Sequence, residues 1–300
     1  MNCVELFAGA GGAALGLEAA GISHLACIEY DADACATLRS AGLPCVEGDV
    51  RDPDLYLPEW VGCDLLWASF PCQAWSSAGK REGAKDERNG WPWTVDAIDR
   101  LKPEWFAAEN VTGLLTHRGG CASRCLGPED CPRAYFDLVI LSQLRERFDW
   151  VGFRVLNASS FGVPQHRRRV IIVAGPRAIR FPEPTHGKPS GQADLFGRGL
   201  LPWETPDYWP SPSPTVSAVG ECKGSGPGGN PEKMQRASDA LYLAIGRRRL
   251  TVEECALLQD FPVGHPFQGT KGSQYRQVGN AVPPTLARVV GEAIKKSRRS

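Results

Sequence analysis

The spacing of apolar positions divides this chain into two unequal parts. Over the first 175 residues, short apolar runs at 3–7, 25–28, 63–69, 105–108 and 170–174 predict buried strands. Between them, the stretches 13–20, 32–38, 95–101 and 138–148 carry apolar residues at helical spacing. Strands alternating with helices predict an α/β fold built on a doubly wound, parallel, Rossmann-like sheet. The texture then changes: 11 of the chain's 24 prolines fall between Pro176 and Pro231, with many glycines and little periodicity. Phe196, Trp203, Tyr208 and Trp209 lie in that stretch, more aromatic surface than a disordered linker needs. The expected organisation is therefore a first domain over 1–175, completed by 275–300, and a small loop-rich domain over 176–274. Helical spacing returns at 251–259 and at 284–296, the latter running into a basic end from Lys295 to Arg299.

Composition changes this picture in two places. The net charge of zero hides an asymmetry, because residues 1–150 hold 13 Lys and Arg against 23 Asp and Glu, while 151–300 hold 21 against 11. A second half at +10 suits a surface that faces a polyanion; an ordinary dipolar protein is the other reading. The eleven cysteines are scattered through predicted strands and helices, the usage of reduced thiols rather than a disulfide framework. Nothing resembles a secretory signal, and no apolar run approaches membrane-spanning length.

Candidate chemistry concentrates at strand ends. The strand at 63–69 stops at Pro71, and a thiol, Cys72, follows at the carboxyl end, where open α/β sheets place ligands. A proline suits a side chain that must be aimed, although a buried structural cysteine is the alternative. A second candidate is the turn Phe7-Ala8-Gly9-Ala10-Gly11-Gly12, between the first strand and first helix. Its glycines permit a tight turn and close approach of a ligand to the backbone. Glu29, 20 residues after Gly9, can accept both hydroxyls of a ribose, and Asp49 after the third strand suits an adenine amino group. A dinucleotide oxidoreductase competes at this stage with a phosphate-free nucleoside cofactor.

Taken together with Cys72, the motifs resemble the DNA cytosine carbon-5 methyltransferases. The matches run in family order over almost the whole chain: Phe7–Gly12, Glu29-Tyr30-Asp31, Gly48-Asp49-Val50, Pro71-Cys72-Gln73, Glu109-Asn110-Val111, and Gln165-x-Arg167-x-Arg169. They continue through Arg249-Leu250-Thr251, Leu258-Gln259-Asp260-Phe261-Pro262 and Gln277-Val278-Gly279-Asn280-Ala281-Val282-Pro283-Pro284. The resemblance implies a methyltransferase-type sheet with a target-recognition domain, S-adenosyl-L-methionine as cofactor and double-stranded DNA as partner. It implies Cys72 as the nucleophile on carbon 6 of a flipped cytosine and Glu109 as general acid at the ring nitrogen, a role that burial after strand 105–108 favours. Arg167 and Arg169, of one parity on an apparent strand, are implied to contact the base carbonyl and orient Glu109. His166 and Arg168, of the other parity, fit a solvated basic edge.

The implied cofactor residues are Phe7, Ala8, Gly9, Gly11, Gly12, Glu29, Tyr30, Asp49, Val50, Pro71, Asn280 and Val282. Gln73, Ser76, Lys80, Arg81 and Arg88, on the loop after Cys72, are implied to hold DNA phosphates and fill the gap left by the base. A monomeric, bacterial or phage-encoded enzyme of the cytoplasm completes the expectation, with two roles left open: partner of a cognate restriction endonuclease, or self-protection of a virus. The chain departs from the family pattern at Glu5, where aspartate is usual, a longer carboxylate that could shift cofactor contacts. It departs also at Asn89-Gly90-Trp91-Pro92-Trp93, which is assigned no cofactor contact, and at an insert carrying His117, Cys121, Cys125 and Cys131. Those four could hold a structural zinc; a Gly-rich loop with incidental thiols is the other reading. A tRNA substrate is disfavoured, because the late Cys-Phe-Thr tripeptide of that related branch is missing. A non-catalytic DNA-binding partner is disfavoured because Cys72 and Glu109 are both present.

Overall fold

The computed structural model describes residues 1–71, 89–117, 127–129, 131–187, 201–202, 216 and 250–299. Strands β1 (Asn2–Leu6), β2 (Ser23–Glu29), β3 (Cys45–Glu47), β4 (Leu65–Ala68), β5 (Trp105–Val111), β6 (Trp150–Asn157) and β7 (Arg168–Gly175) form one sheet. Their order is β3-β2-β1-β4-β5-β7-β6. The chain reverses direction across the sheet between β1 and β4, so the segments following those two strands border the crevice at the switch point.

Five strands are parallel to their neighbours, but β7 runs antiparallel to both β5 and β6. The sheet is therefore mixed, where periodicity predicts a purely parallel one. The reason lies in β6, which the sequence pattern does not reveal: Gly152 and Arg154 interrupt it, and most of its residues are only half-buried. The connection from β6 to β7 contains no helix long enough for a crossover, so β7 returns antiparallel. Strands β8 (His186–Gly187) and β9 (Leu201–Pro202) pair separately.

Both faces of the sheet are covered. On one, α3 (Trp91–Leu101) and the helical stretch 132–145 pack Trp91, Ile98, Phe136 and Leu144 against Leu66, Phe106 and Ile172. That stretch comprises α4 (Pro132–Tyr135), a π-helical turn at Phe136–Ile140 and α5 (Leu141–Arg145). On the other face, α1 (Gly12–Ala19) brings Ala13 and Leu17 against Trp67, Trp105 and Ile171. Helix α2 (Ala32–Ser40) starts on an Asp31 cap, whose carboxylate accepts from the Ala34 N–H at 3.0 Å.

Two helices follow late in the chain, α6 (Val252–Leu258) and α7 (Lys271–Asn280), and they share a smaller core around Cys255, Phe261, Tyr275 and Val278. Helix α7 escapes the sequence reading because Lys-Gly-Ser-Gln-Tyr-Arg-Gln is polar and glycine-bearing; packing of Tyr275 and Val278 overrides that propensity. It spans the expected domain boundary at 275. The last helix, α8 (Pro284–Arg299), lays Leu286, Ala287, Val290 and Ile294 on the α1 face. Among the described residues no helix is long and apolar enough to cross a membrane, and no disulfide joins the described cysteines.

Candidate active site

The turn after β1 is a strained piece of backbone held by a side chain. Phe7 has φ 56°, Gly9 54° and Gly11 82°, so a non-glycine residue occupies the left-handed region that L-residues avoid. Strain of this kind costs about 1–3 kcal/mol and persists only where surroundings enforce it. Glu29 does the enforcing. Its Oε2 accepts from the Gly9 N–H at 2.8 Å, and its Oε1 accepts from the N–H groups of Tyr30 and Asp31, both at 2.9 Å. Glu29 thus welds the turn to the end of β2, an arrangement the nucleoside reading did not include. Each carboxylate oxygen has lone-pair capacity beyond these bonds, so the ribose role is compatible with the weld.

Gly12 meets a different demand. A Cβ there would lie inside the carbonyl oxygen of Val282 and within 3.3 Å of Ala281 Cβ and Phe261. The segment after α7 therefore presses directly on the turn, and only glycine admits it. A Cβ on Gly9 would meet nothing within 4 Å, which leaves its outer side open for a ligand. The ring of His265 closes on the same turn, its Nε2–H donating to the Ala10 carbonyl at 3.1 Å, with Phe261 and Phe267 packed around it. Burial pushes the His265 pKa down. The sequence reading assigned Phe261 and His265 no contact; the Leu-Gln-Asp-Phe-Pro motif was the signal available.

The remaining expected cofactor residues surround this turn unevenly. Tyr30 is exposed at the end of β2, while the Val50 side chain is buried. Asp49 is engaged by Arg51, with Nε at 2.9 Å and Nη2 at 2.5 Å from its Oδ2, and this pairing lowers its pKa. Pro71 meets Gly90, whose Cβ would lie 2.7 Å from Pro71 Cδ and 3.2 Å from the Phe7 ring. Asn280 is exposed at the end of α7. In the Asn89–Trp93 segment, Asn89 Nδ2 donates to Tyr135 Oη at 2.8 Å and Trp91 Nε1 to Gln143 Oε1 at 2.7 Å, so both anchor α3. Glu5 does not turn toward the crevice; its buried carboxylate lies 3.2 Å from His24 Nε2.

The end of β5 supplies the second half of the site. Glu109 and Asn110 are consecutive, so their side chains leave opposite faces. Asn110 Nδ2 donates to the Phe70 carbonyl at 3.1 Å, tying this strand end to the segment that leads into Pro71-Cys72. Glu109 Oε1 lies 2.5 Å from Arg169 Nε, a buried ion pair set diagonally across β5 and β7, where Glu109 opposes Ile171.

Arg167 stands just before β7 and is fully buried. Its Nη1 donates to the Val216 carbonyl at 3.1 Å, and its Nη2 to the carbonyls of Gly279 at 2.8 Å and Ala281 at 2.9 Å. Burial, and then the like charge of Arg169, push Arg167 down; the three carbonyl dipoles oppose that shift. Beside it, Gln165 donates to Leu258 O and Gln259 Oε1 and accepts from the Val216 N–H, while Gln259 Nε2 donates to Ala281 O. The Gln-x-Arg-x-Arg motif is thus divided in use: Gln165 and Arg167 stitch distant backbone segments together, and Arg169 serves Glu109. Arg168 and His166 are exposed, as their parity implied.

Asp260 adds a further tie. It sits at φ 72° and accepts the Thr285 N–H at 2.7 Å, capping the start of α8. Of the insert, His117 Nδ1 lies 3.8 Å from Cys131 Sγ. Cys72, Gln73, Ser76, Lys80, Arg81, Arg88, Cys121 and Cys125 lie outside the described residues.

Comparison with known proteins matches this sequence to one family. The family model for C-5 cytosine-specific DNA methylase covers residues 1–192 and 207–296. Type II methyltransferase M.NaeI of Lentzea aerocolonigenes is 35% identical over 98% of this chain and 75% of its own length. Type II methyltransferase M.NgoMIV of Neisseria gonorrhoeae is 32% identical over 98% and 97%, respectively. Among solved structures, S. pombe Dnmt2 methyltransferase superposes with a TM-score of 0.64 at 13% identity over the full length of both chains. A putative DNA modification methyltransferase encoded within an E. coli prophage gives 0.60 at 19%, again over both full lengths.

Proposed function

Because this chain belongs to the C-5 cytosine-specific DNA methylase family, and is a DNA (cytosine-5-)-methyltransferase that uses S-adenosylmethionine, we propose that it methylates a cytosine flipped out of a short specific word of duplex DNA, through a covalent adduct on Cys72. The observation that carries this reading is the Asn110–Phe70 hydrogen bond, which brings the Glu109–Arg169 pair beside the strand end that runs into Pro71-Cys72.

Carbon 5 of cytosine is a poor nucleophile until a thiolate adds to carbon 6. Cys72 supplies the thiolate, and Glu109 donates a proton to the ring nitrogen as the carbon–sulfur bond forms, so that charge does not accumulate on the ring. The resulting enamine carries electron density at carbon 5. S-adenosylmethionine, when bound, supplies an electrophilic sulfonium methyl group. Loss of the carbon-5 proton to a base then lets the Cys72 sulfur depart with its bonding pair, and the ring nitrogen returns its proton to Glu109. Arg169 holds Glu109 in place, and Arg167 positions the backbone around it.

The residues present fit the cofactor: the open outer side of Gly9, the spare lone pairs of Glu29 and the exposed Tyr30 suit a nucleoside that lacks phosphates. Phe7–Gly12, Glu29, Tyr30, Asp49 and Val50 would hold it, with Pro71, Asn280 and Val282 bordering the methyl side. Gln73, Ser76, Lys80, Arg81 and Arg88 would hold phosphates, and residues 176–274 would read the bases. The chain acts as a monomer in the cytoplasm, bacterial or phage-encoded, either beside a cognate restriction endonuclease or in self-protection of a virus. The His117–Cys131 approach supports a structural zinc in the insert; zinc absent, or unaffected by Cys125→Ser, removes that reading.

Transfer of labelled methyl to duplex DNA tests the mechanism, with tRNA as the competing acceptor. Wild-type protein is expected to label DNA and trap a covalent complex, and Cys72→Ser to do neither. Activity surviving in Cys72→Ser overturns the mechanism. Bisulfite sequencing of DNA from expressing cells gives the recognised word.

A further inference from the structure

Outside the crevice, one group of side chains sits in the wrong surroundings for its chemistry. Glu5 on β1 and His24 and Cys27 on β2 each present a ligand atom within 4.8 Å of the others, all inside the sheet. The Glu5 and His24 side chains are 1% and 0% exposed. Although His24 Nε2 lies 3.2 Å from Glu5 Oε2, neither nitrogen of His24 nor that oxygen makes a hydrogen bond. Buried polar atoms are nearly always satisfied, so Glu5 Oε2 and His24 Nε2, facing each other beside the Cys27 thiol, ask for a shared partner.

The backbone is built to produce this convergence. His24 and Cys27 are three apart, and on a regular strand they would point to opposite faces. The β1–β2 register breaks here: Cys3 pairs with His24 but Val4 pairs with Ala26, leaving Leu25 as an extra residue. That bulge restores common parity, and Glu5 lies directly opposite Cys27. Bulges re-aim side chains at sites, and one inside a parallel pair is rare. Leu25, an apolar residue, is pushed partly into solvent as a result.

We propose that Glu5, His24 and Cys27 form a zinc site that pins β1 to β2 beneath the Phe7–Gly12 turn. The donor set of one thiolate, one imidazole and one carboxylate is zinc chemistry, and the second Glu5 oxygen or a water can complete four-coordination. Charge decides for a divalent ion. Zinc with one thiolate and one carboxylate is neutral, the one ionised arrangement that an apolar core tolerates without counter-charge. Binding as thiolate and carboxylate releases the ligands' protons to solvent. Glu18 is placed for the supporting role that metal-bound histidines require: its Oε1 lies 3.8 Å from His24 Nδ1.

The test is zinc content of the purified full-length protein after dialysis, by mass spectrometry, with Cys125→Ser alongside to account for zinc held in the insert. The expected result is one equivalent lost in Cys27→Ser and in His24→Gln but retained by this site in Cys125→Ser, with chelation lowering the wild-type Tm. Wild-type zinc content in both Cys27→Ser and His24→Gln overturns the proposal. Should those variants fail to fold, cobalt(II) is titrated into metal-free Cys125→Ser protein, where Cys27 is intact. A thiolate-to-cobalt absorption band then supports the site, and its absence overturns it.

Discussion

Replacing Arg167 tests whether the late motifs hold the site together through backbone rather than substrate. In Arg167→Ala the carbonyls of Val216, Gly279 and Ala281 lose a charged donor; among the described residues only Ala281 O keeps another side-chain partner, Gln259. Hydrogen bonds to charged groups contribute roughly 1.5–3 kcal/mol each, and buried orphaned acceptors cost a comparable amount. Three such bonds, one partly backed up, give a loss of about 4 kcal/mol or more, a large part of the ~5–15 kcal/mol that holds a domain folded. With a urea slope of about 3 kcal/mol per molar, the unfolding midpoint falls by more than ~1 M. Arg167→Lys keeps the charge but not the fork, and should lie between the two. Urea titration followed by tryptophan fluorescence reads this directly. A midpoint shift of less than about 0.3 M in Arg167→Ala, under ~1 kcal/mol by the same slope, would refute the reasoning. The carbonyls would then be solvated in some other way, and Arg167 would be free to touch the base.

Three further outcomes follow from the same geometry. Glu109→Gln should lower single-turnover methyl transfer by about 10²–10⁴-fold with S-adenosylmethionine affinity unchanged; equal loss of cofactor binding would show that Glu109 shapes the pocket instead. Glu29→Ala removes the acceptor of the Gly9 N–H, the bond that ties the left-handed turn at Phe7 and Gly9 to the end of β2; isothermal titration should find cofactor binding weakened at least tenfold, about 1.4 kcal/mol, and unchanged affinity would mean that the turn holds itself. Asp99 is held below the usual carboxylate range by its hydrogen bonds to Arg147, with Nε at 2.6 Å and Nη2 at 2.8 Å. Its folded pKa is depressed, so its stabilisation is present above the unfolded-state value and is lost as pH falls through the folded one. Because half the side chain is exposed, Asp99→Asn should cost at most about 1 kcal/mol near neutral pH, with the difference vanishing in acid; urea midpoints across that range check it.

What could be read before the fold was known follows from what local physics fixes. The strand–helix alternation of the first 175 residues, the glycine turn and the carboxylates at strand ends are short-range patterns, and the motif order carried the chemistry with them. Arg169 pairs with Glu109 in the structure, a partner that lies within reach of parity along one strand. Parity could not name the partners of Arg167, the carbonyls of Val216, Gly279 and Ala281, which lie 49, 112 and 114 residues away. Nor could it show that the Glu5 carboxylate turns to His24, or that Glu29 also accepts from the turn it supports.

The sequence by itself therefore determined the chemistry: which residue types stand in which order, and the family to which they belong. Only the tertiary structure decided who holds whom. The antiparallel β7, the glycine at position 12 yielding to the Val282 carbonyl, and the bulge that swings His24 onto the face of Cys27 all depend on contacts between segments far apart in the chain. Hydrophobic periodicity reports which side of an element is buried; it does not carry the identity of the polar atom that will be waiting there.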